Sequence, residues 1–102
     1  MEIFDVVSGF KWDENNITKN WFKHKVYYLE AEEVFFNKPL IISVDIKHSI
    51  EEKRFYALGI TNKQRHLFVV FTIRRELIRI ISARDMNKNE REKYYEKSKE
   101  NS

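Results

Sequence analysis

Six arginines are the side chains of this sequence best suited to chemistry, because they crowd into 31 residues that otherwise have the pattern of β-strands. They are Arg54, Arg65, Arg74, Arg75, Arg79 and Arg84. A guanidinium group is a planar fork of donors that matches the oxygens of a phosphate group. The cluster therefore predicts a surface for an anionic partner. The alternative is a strand face whose arginines contact only solvent.

The basic residues are distributed unevenly along the 102 residues, although the formal net charge is only +3. Residues 1–52 contain 6 Lys and Arg against 10 Asp and Glu, whereas residues 53–102 contain 13 against 6. The anionic partner is therefore expected to meet the second half of the chain. We expect guanidinium groups from that half to converge on one concave patch.

Other kinds of site find little support in the sequence. There is no cysteine, and His24, His48 and His66 are too far apart for the usual spacing of metal ligands. With glycines only at positions 9 and 59, a glycine-rich phosphate loop is not possible. Composition allows a serine–histidine–aspartate triad, but nothing in the pattern marks one. We therefore expect neither a metal ion nor another cofactor.

Cleavage of RNA is a reaction that needs no metal ion. The 2′-hydroxyl group of the substrate supplies the nucleophile, and cationic side chains can stabilise the charge that develops on the phosphate. A base that removes the 2′-proton contributes roughly a hundredfold to ten-thousandfold. A site composed mainly of arginines is therefore chemically sufficient.

The first half of the chain is expected to form one strand and two helices. Glu2–Trp12 is rich in Ile, Val, Phe and Trp, which favour a strand. Asp13 can cap a helix over about residues 14–23. A second helix is predicted over about residues 28–36, and it ends before Pro39 because proline cannot continue a helix.

The second half has the pattern of four strands and a final helix. The strands are predicted at Leu40–Asp45, Arg54–Ile60, Leu67–Thr72 and Leu77–Ala83. The polar segments between them allow antiparallel hairpins and leave no room for crossover helices. The third of these strands lacks polar alternation, so it is expected at the centre of the sheet, covered on both faces. Asn87–Lys97 is predicted as a helix with a capping box formed by Asn87 and Glu90, and residues 98–102 are expected to fray.

These elements predict a single α+β domain over residues 1–102, with two helices before a small antiparallel sheet and one after it. Alternation in the last strand places Arg79, Ile81 and Ala83 on one face, and Ile80, Ser82 and Arg84 on the other. Arg65 and Arg74 flank the central strand, so about 20–25 Å separates them and they can only line different parts of a long groove. For Arg79 the alternative is an ion pair with Glu76 or with a helix carboxylate.

Four separated segments resemble the BrnT toxins, in the same order and over nearly the whole chain. They are FKWDENNITKNWFKHKV, EAEEVF, HSIEEKRFYALG and LFVVFTIRRELIRIISARDMNKNEREKYYE. The resemblance implies a RelE-like fold, metal-independent ribonuclease activity and arrest of translation in a bacterial cell. It also implies a BrnA-like antitoxin that neutralises the toxin, and contact with operator DNA only through the complex with this antitoxin.

The same resemblance assigns site residues by position. The catalytic arginines correspond to Arg65, to Arg74 in the T-x-R motif and to Arg79 in IRIISAR. Weaker assignments, to RNA binding, fall at Arg54, Arg84, His48 and Tyr95.

Two positions depart from the family's pattern. The family often has an acid between the threonine and the arginine of T-x-R, where this chain has Ile73. A candidate carboxylate is therefore missing, and the identity of the general base stays open. The family's usual KHG is KHK here, so Lys25 must form a turn that glycine normally eases.

Two other functions are compatible with the sequence. One is a non-catalytic RNA- or ribosome-binding module that acts through its partner protein, and the other is a basic subunit whose arginines bind an acidic protein. No apolar run approaches the roughly 20 residues that span a bilayer. The start, MEIFDVVSGF, lacks the basic region of a signal peptide. We therefore expect a cytoplasmic location without membrane contact.

Overall fold

The computed structural model describes residues 5–100, which form one five-stranded sheet with helices packed on both faces. The strands are β1 (Gly9–Phe10), β2 (Ile41–Val44), β3 (Phe55–Ile60), β4 (His66–Arg74) and β5 (Leu77–Asp85). The helices are α1 (Lys19–His24), α2 (Tyr28–Glu33) and α3 (Lys88–Glu100), and a short 3-10 helix, Ile46–His48, lies between β2 and β3. The predicted α+β class is confirmed.

The strands lie in the order β1-β5-β4-β3-β2, so β4 is central as predicted. Strands β2 to β5 pair in antiparallel fashion, which confirms the predicted hairpins. Strand β1 instead pairs in parallel with β5, with Gly9 opposite Leu77 and Phe10 opposite Ile78. The expectation of a purely antiparallel sheet is therefore wrong at this edge. No hairpin joins β1 to β5, so nothing requires β1 to run antiparallel to it.

The main core lies on one face of the sheet. Buried side chains of the strands, such as Val69, Phe71 and Ile80, pack there against Val26 and Val34 from the region of α1 and α2. The two helices cover this face because burial of apolar side chains stabilises the fold, by roughly 25 cal/mol per Å² of apolar surface removed from water.

The opposite face of the sheet is only partly covered. Tyr94 of α3 packs there with Leu58 and Met86 in a smaller cluster. Phe68 and Val70 of β4 stay half-buried on this face, so the expectation that β4 is covered on both faces is only partly right. Beyond α3, toward the β4–β5 turn, this face carries the half-buried side chains of Arg79 and Ser82 and the buried side chain of Thr72.

Several boundaries differ from the predictions. Asp13 caps a turn, accepting a hydrogen bond from the Asn16 N–H at 2.8 Å, and α1 begins only at Lys19. Side chains of this segment instead form hydrogen bonds with the backbone of β5. Asn16 Nδ2 donates to the Ile80 carbonyl (2.6 Å) and Lys19 Nζ to the Ile81 carbonyl (2.9 Å). Helix α2 also ends early, at Glu33.

The two ends of the chain differ as well. The predicted first strand is reduced to Gly9–Phe10 among the described residues, and its residues 2–4 lie outside them. The capping box is confirmed, since Glu90 N–H donates to Asn87 Oδ1 (2.8 Å) and Asn87 N–H to Glu90 Oε1 (2.9 Å). Helix α3 continues to Glu100, three residues beyond the predicted end at Lys97.

Candidate functional site

A groove on the open face of the sheet collects several of the cationic side chains. It consists of two adjoining depressions of about 380 and 280 Å³ that share Glu52, Thr72 and Ile81. The first is also lined by His48, Ile50, Glu51 and Arg54, and the second by Asn16, Lys19, Arg74, Arg79 and Ile80. We call these residues the open-face groove.

The register of β4 and β5 places two arginines at the centre of this groove. Arg79 lies directly opposite Thr72, and Arg74 lies on the same face as Thr72, two residues further along β4. Diagonal neighbours of this kind have their Cα atoms roughly 7–8 Å apart, close enough for both side chains to reach one phosphate group.

A β-bulge at Ile81 decides which face Arg79 occupies. Val70 lies opposite Ser82 and Phe71 opposite Ile80, so Ile81 has no partner on β4. This extra residue reverses the alternation along the rest of β5. The prediction that Arg79 shares a face with Ala83 is therefore wrong: Ala83 is buried in the core, whereas Arg79 lies on the open face with Ser82 and Arg84.

Arg74 is held by a carboxylate that sequence reasoning missed. Its Nε and Nη2 donate to the two oxygens of Glu52 at 2.9 and 2.8 Å, and its Nη1 takes no part in this pair. These hydrogen bonds lower the pKa of Glu52, helped by the charge of Arg79 and by the Thr72 side chain, and they raise the pKa of Arg74. Glu52 is thus an anion at neutral pH and orients the fork of Arg74 within the groove.

Arg79 has a looser ion pair. Its Nη2 lies 3.8 Å from Asp13 Oδ2, and its side chain is 31% exposed. Lys19, whose Nζ is bound to the carbonyl of the bulge residue Ile81, adds a further cation beside it. Lys19 carried no signal in the sequence, because it reaches the groove only through the packing of α1 against β5. Glu52 lies in the HSIEEKR segment, between the candidate residues His48 and Arg54. This position in the sequence could have indicated that it belongs to the site.

His48 lies at the rim of the groove and forms a pair with Asp45. Its Nδ1 is 3.0 and 3.2 Å from the two carboxylate oxygens of Asp45. The loop that carries both residues is fixed by Ser49, whose Oγ donates to the Asp45 carbonyl (2.6 Å) and accepts from the Arg54 N–H (2.9 Å). The Asp45 N–H in turn donates to the Arg54 carbonyl at 2.8 Å.

Arg65 does not lie in the groove. It precedes β4 at the opposite end of the sheet, where Nε and Nη2 donate to Asp85 (2.7 and 3.1 Å). Its Nη1 donates to the Lys25 carbonyl at 2.8 Å and contacts Glu30 at 3.3 Å. This network raises the pKa of Arg65, chiefly through the hydrogen bond to Asp85, and joins α1, α2 and the end of β5.

The Lys25 carbonyl is available to Arg65 because Lys25 ends α1 in a left-handed conformation, with φ of 57°. The prediction that Lys25 forms this turn in place of glycine is confirmed.

Arg84 is on the open face but outside the groove. It makes a forked pair with Glu90 at 2.8 and 2.9 Å and stacks over the Phe68 ring at 4.2 Å. Because Glu90 is also a member of the capping box, Arg84 attaches the start of α3 to the sheet.

Tyr95 lies in a different cavity, of about 710 Å³, between α3 and the loops around Pro39 and Gln64. This residue is 60% exposed. Neither Arg84 nor Tyr95 joins the residues around Thr72. Of the seven side chains assigned by resemblance, four meet in the open-face groove: His48, Arg54, Arg74 and Arg79.

Ile73, where the family often has an acid, points away from the groove. It lies opposite Ile78 and packs against the main core. A carboxylate at this position would lie on the core face of the sheet. In this chain the carboxylates of the groove come instead from the loop before β3, at Glu51 and Glu52.

Residues 5–100 contain no group of three or more His, Cys, Asp and Glu side chains that could hold a metal ion. Within the same residues, none of the helices has the length and apolar character needed to cross a membrane.

A family model described as a ribonuclease toxin, BrnT, of type II toxin-antitoxin systems matches residues 12–90. This range runs from the residue before Asp13 to Glu90 in the first turn of α3 and includes every residue of the open-face groove. No curated protein matches the chain.

Proposed function

This chain belongs to the BrnT family of ribonuclease toxins of type II toxin-antitoxin systems, and we propose that it cleaves RNA in the open-face groove without a metal ion. The observation that carries the proposal is the pairing of Arg79 with Thr72, with Arg74 as its diagonal neighbour in the same groove.

The groove suits an RNA phosphate for three reasons. Arg79 and Arg74 can donate to the non-bridging oxygens of one phosphate group, the latter through its Nη1. Lys19 in the same depression and Arg54 in the adjoining one extend the positive charge around this pair, as a nucleotide backbone needs. Donors fixed in place before the reaction stabilise the charge of the transition state without reorganisation.

The proposed reaction starts from the 2′-hydroxyl of the substrate. Its oxygen attacks the adjacent phosphorus while a base takes its proton. The bond from phosphorus to the 5′-oxygen breaks, and this oxygen takes a proton from water. The products are a 2′,3′-cyclic phosphate and a 5′-hydroxyl end.

The family implies that an antitoxin protein neutralises this chain. We propose that this partner is of the BrnA type and supplies the contacts to operator DNA. Cleavage of RNA by the free toxin arrests translation, which requires that the toxin act in the cytoplasm.

One observation favours a second candidate, the non-catalytic RNA- or ribosome-binding module. Arg74 is neutralised by Glu52, and Arg79 lies 3.8 Å from Asp13, so the two central cations have internal counter-charges. RNA could bind across the remaining cations without reaction.

Induced expression in a bacterial host distinguishes the two candidates. We expect the wild-type chain to halt growth and protein synthesis, and co-expression of a BrnA-like antitoxin to restore both. Arg79→Ala should restore growth while the protein stays folded. Arg91→Ala, which removes a guanidinium group from α3 outside the groove, should remain toxic. Normal growth with the wild-type chain, at a level where it is detectable and folded, favours the binding module.

A further inference from the structure

We infer that His48 is the general base that takes the 2′-proton of the RNA, and that Asp45 is the positioning residue that orients it. This inference rests on the proposed cleavage of RNA in the open-face groove. It concerns the one role in that reaction that the arginines cannot fill, because a guanidinium group stays protonated at neutral pH.

The contact with Asp45 fixes the tautomer of His48. A carboxylate only accepts hydrogen bonds, so the proton of the neutral imidazole lies on Nδ1, which is 3.0 Å from Asp45 Oδ2. The lone pair is then on Nε2, the ring nitrogen that is left for a substrate. The side chain of His48 is 60% exposed and that of Asp45 only 22%, so the base is accessible while its partner is partly shielded.

The loop gives this pair a defined position. Ser49 hydrogen-bonds to backbone groups of both Asp45 and Arg54, and the Asp45 N–H bonds to the Arg54 carbonyl. The ends of β2 and β3 are thereby joined around the pair. His48 and Arg54 line the same depression as Thr72, which is the residue opposite Arg79. A base and the cations that bind the phosphate are thus on one surface, as the reaction requires.

Glu52, one of the two carboxylates of the groove, is a competing candidate for this role, and its contacts argue against it. Both of its oxygens accept hydrogen bonds from Arg74, and these bonds lower its pKa. A carboxylate that is stabilised as an anion is a weaker base, and a proton added to it would break the pair with Arg74. Glu52 therefore orients Arg74, and His48 remains free to accept a proton.

Several charged groups lie around His48. Asp45 contacts it directly, and Glu51, Glu52 and Arg54 share its depression. Protonation of the imidazole removes the lone pair on Nε2 and with it the base. Cleavage should therefore decline at acid pH.

The test is the pH profile of RNA cleavage by His48→Ala, His48→Gln and Asp45→Ala, each compared with the wild-type chain and with His24→Ala. His24 is the matched control, because it lies outside the groove and contacts Arg65 only through its backbone carbonyl, which accepts a hydrogen bond at 3.3 Å. The substrate is an oligonucleotide, free or in a translation extract, with a copy that carries 2′-deoxyribose at the cleaved position. Urea unfolding establishes that each variant is folded.

We expect both His48 variants to lose about a hundredfold or more in kcat with little change in KM, and to lose the acid limb of the profile. Added imidazole should partly restore His48→Ala. Asp45→Ala should lose less in kcat and keep the acid limb, because the imidazole is still present. His24→Ala should match the wild-type chain.

Two results overturn the inference. If folded His48 variants keep the wild-type kcat and acid limb while Arg79→Ala is inactive, the proposed function stands and His48 is not the base. If the wild-type chain cleaves neither form of the substrate, or cleaves the 2′-deoxy copy equally well, the proposed reaction itself fails and the inference fails with it.

Discussion

Arg79 and Arg84 lie on the same face of the sheet although five positions along one strand separate them. Strict alternation would put residues this far apart on opposite faces. The bulge at Ile81 inserts one unpaired residue between them, and this extra residue brings both side chains to the same face. The two arginines nevertheless have different surroundings: Arg79 lies in the open-face groove, and Arg84 is bound to Glu90 beside α3.

Arg84→Ala should therefore affect stability more than activity. The variant loses a forked, half-buried pair with Glu90 and the stacking on Phe68. Hydrogen bonds between charged groups contribute roughly 1.5–3 kcal/mol, so we expect the free energy of unfolding to fall by about 2 kcal/mol. Urea denaturation measures this change. Unchanged stability together with weakened RNA binding would instead make Arg84 a contact for the substrate.

Glu52→Gln should tighten the binding of RNA while reducing kcat. The substitution removes the counter-charge of Arg74, so this arginine can meet a phosphate, but it also removes the group that orients the guanidinium fork. We expect Kd for RNA to fall severalfold. The plot of log Kd against log salt concentration should become steeper by about one unit of slope, which corresponds to one additional phosphate contact.

Glu51→Gln is the control for this experiment, because it makes the same change of charge at a neighbouring residue that lines the groove. Equal effects of the two variants would mean that the pair between Glu52 and Arg74 has no specific role. Weaker binding by Glu52→Gln would mean that Arg74 needs Glu52 to reach the phosphate.

Much of the fold follows from local patterns in the sequence, but the groove does not. The apolar run of β4 marks the central strand, and Asn87 with Glu90 marks the start of α3. The sequence does not predict the bulge at Ile81. Ile80 and Ile81 are both apolar, so the pattern does not show which of them faces the core. Lys19 and Glu52 reach the groove through contacts between residues far apart in sequence. The pattern of apolar and polar residues predicts local structure only and does not indicate such contacts. The network around Arg65 is hidden for the same reason, since its acids come from α2 and the end of β5.

Stability should fall as the pH is lowered below the ordinary pKa of the carboxylates. The hydrogen bonds from Arg65 lower the pKa of Asp85 from its ordinary value. In Glu90, burial raises the pKa, but the bonds from Arg84 and the Asn87 N–H outweigh it, so the net effect is a lowered pKa. A carboxylate whose pKa is lower in the folded state stabilises that state above its unfolded pKa, and this stabilisation is lost as the pH falls through the folded value.

We therefore expect a nearly constant free energy of unfolding above about pH 5 and a decline from about pH 4 downward. Urea denaturation between pH 2 and 7 measures the curve. The Arg65→Ala variant should start from a lower stability and decline less steeply, because Asp85 loses the main cause of its lowered pKa. A curve for this variant that runs parallel to the wild-type curve would show that the pair between Arg65 and Asp85 contributes nothing to the pH dependence.

The central claim is that the cations of the open-face groove, without a metal ion, carry out cleavage of RNA. The most direct measurement is cleavage of an RNA by the purified chain in excess chelator, free and in a translation extract, for the wild type, Arg79→Ala and Arg91→Ala. We predict equal rates with and without chelator, loss of about a hundredfold or more for Arg79→Ala, and an unchanged rate for Arg91→Ala. Activity that disappears with the chelator, or that survives in folded Arg79→Ala, would contradict the claim.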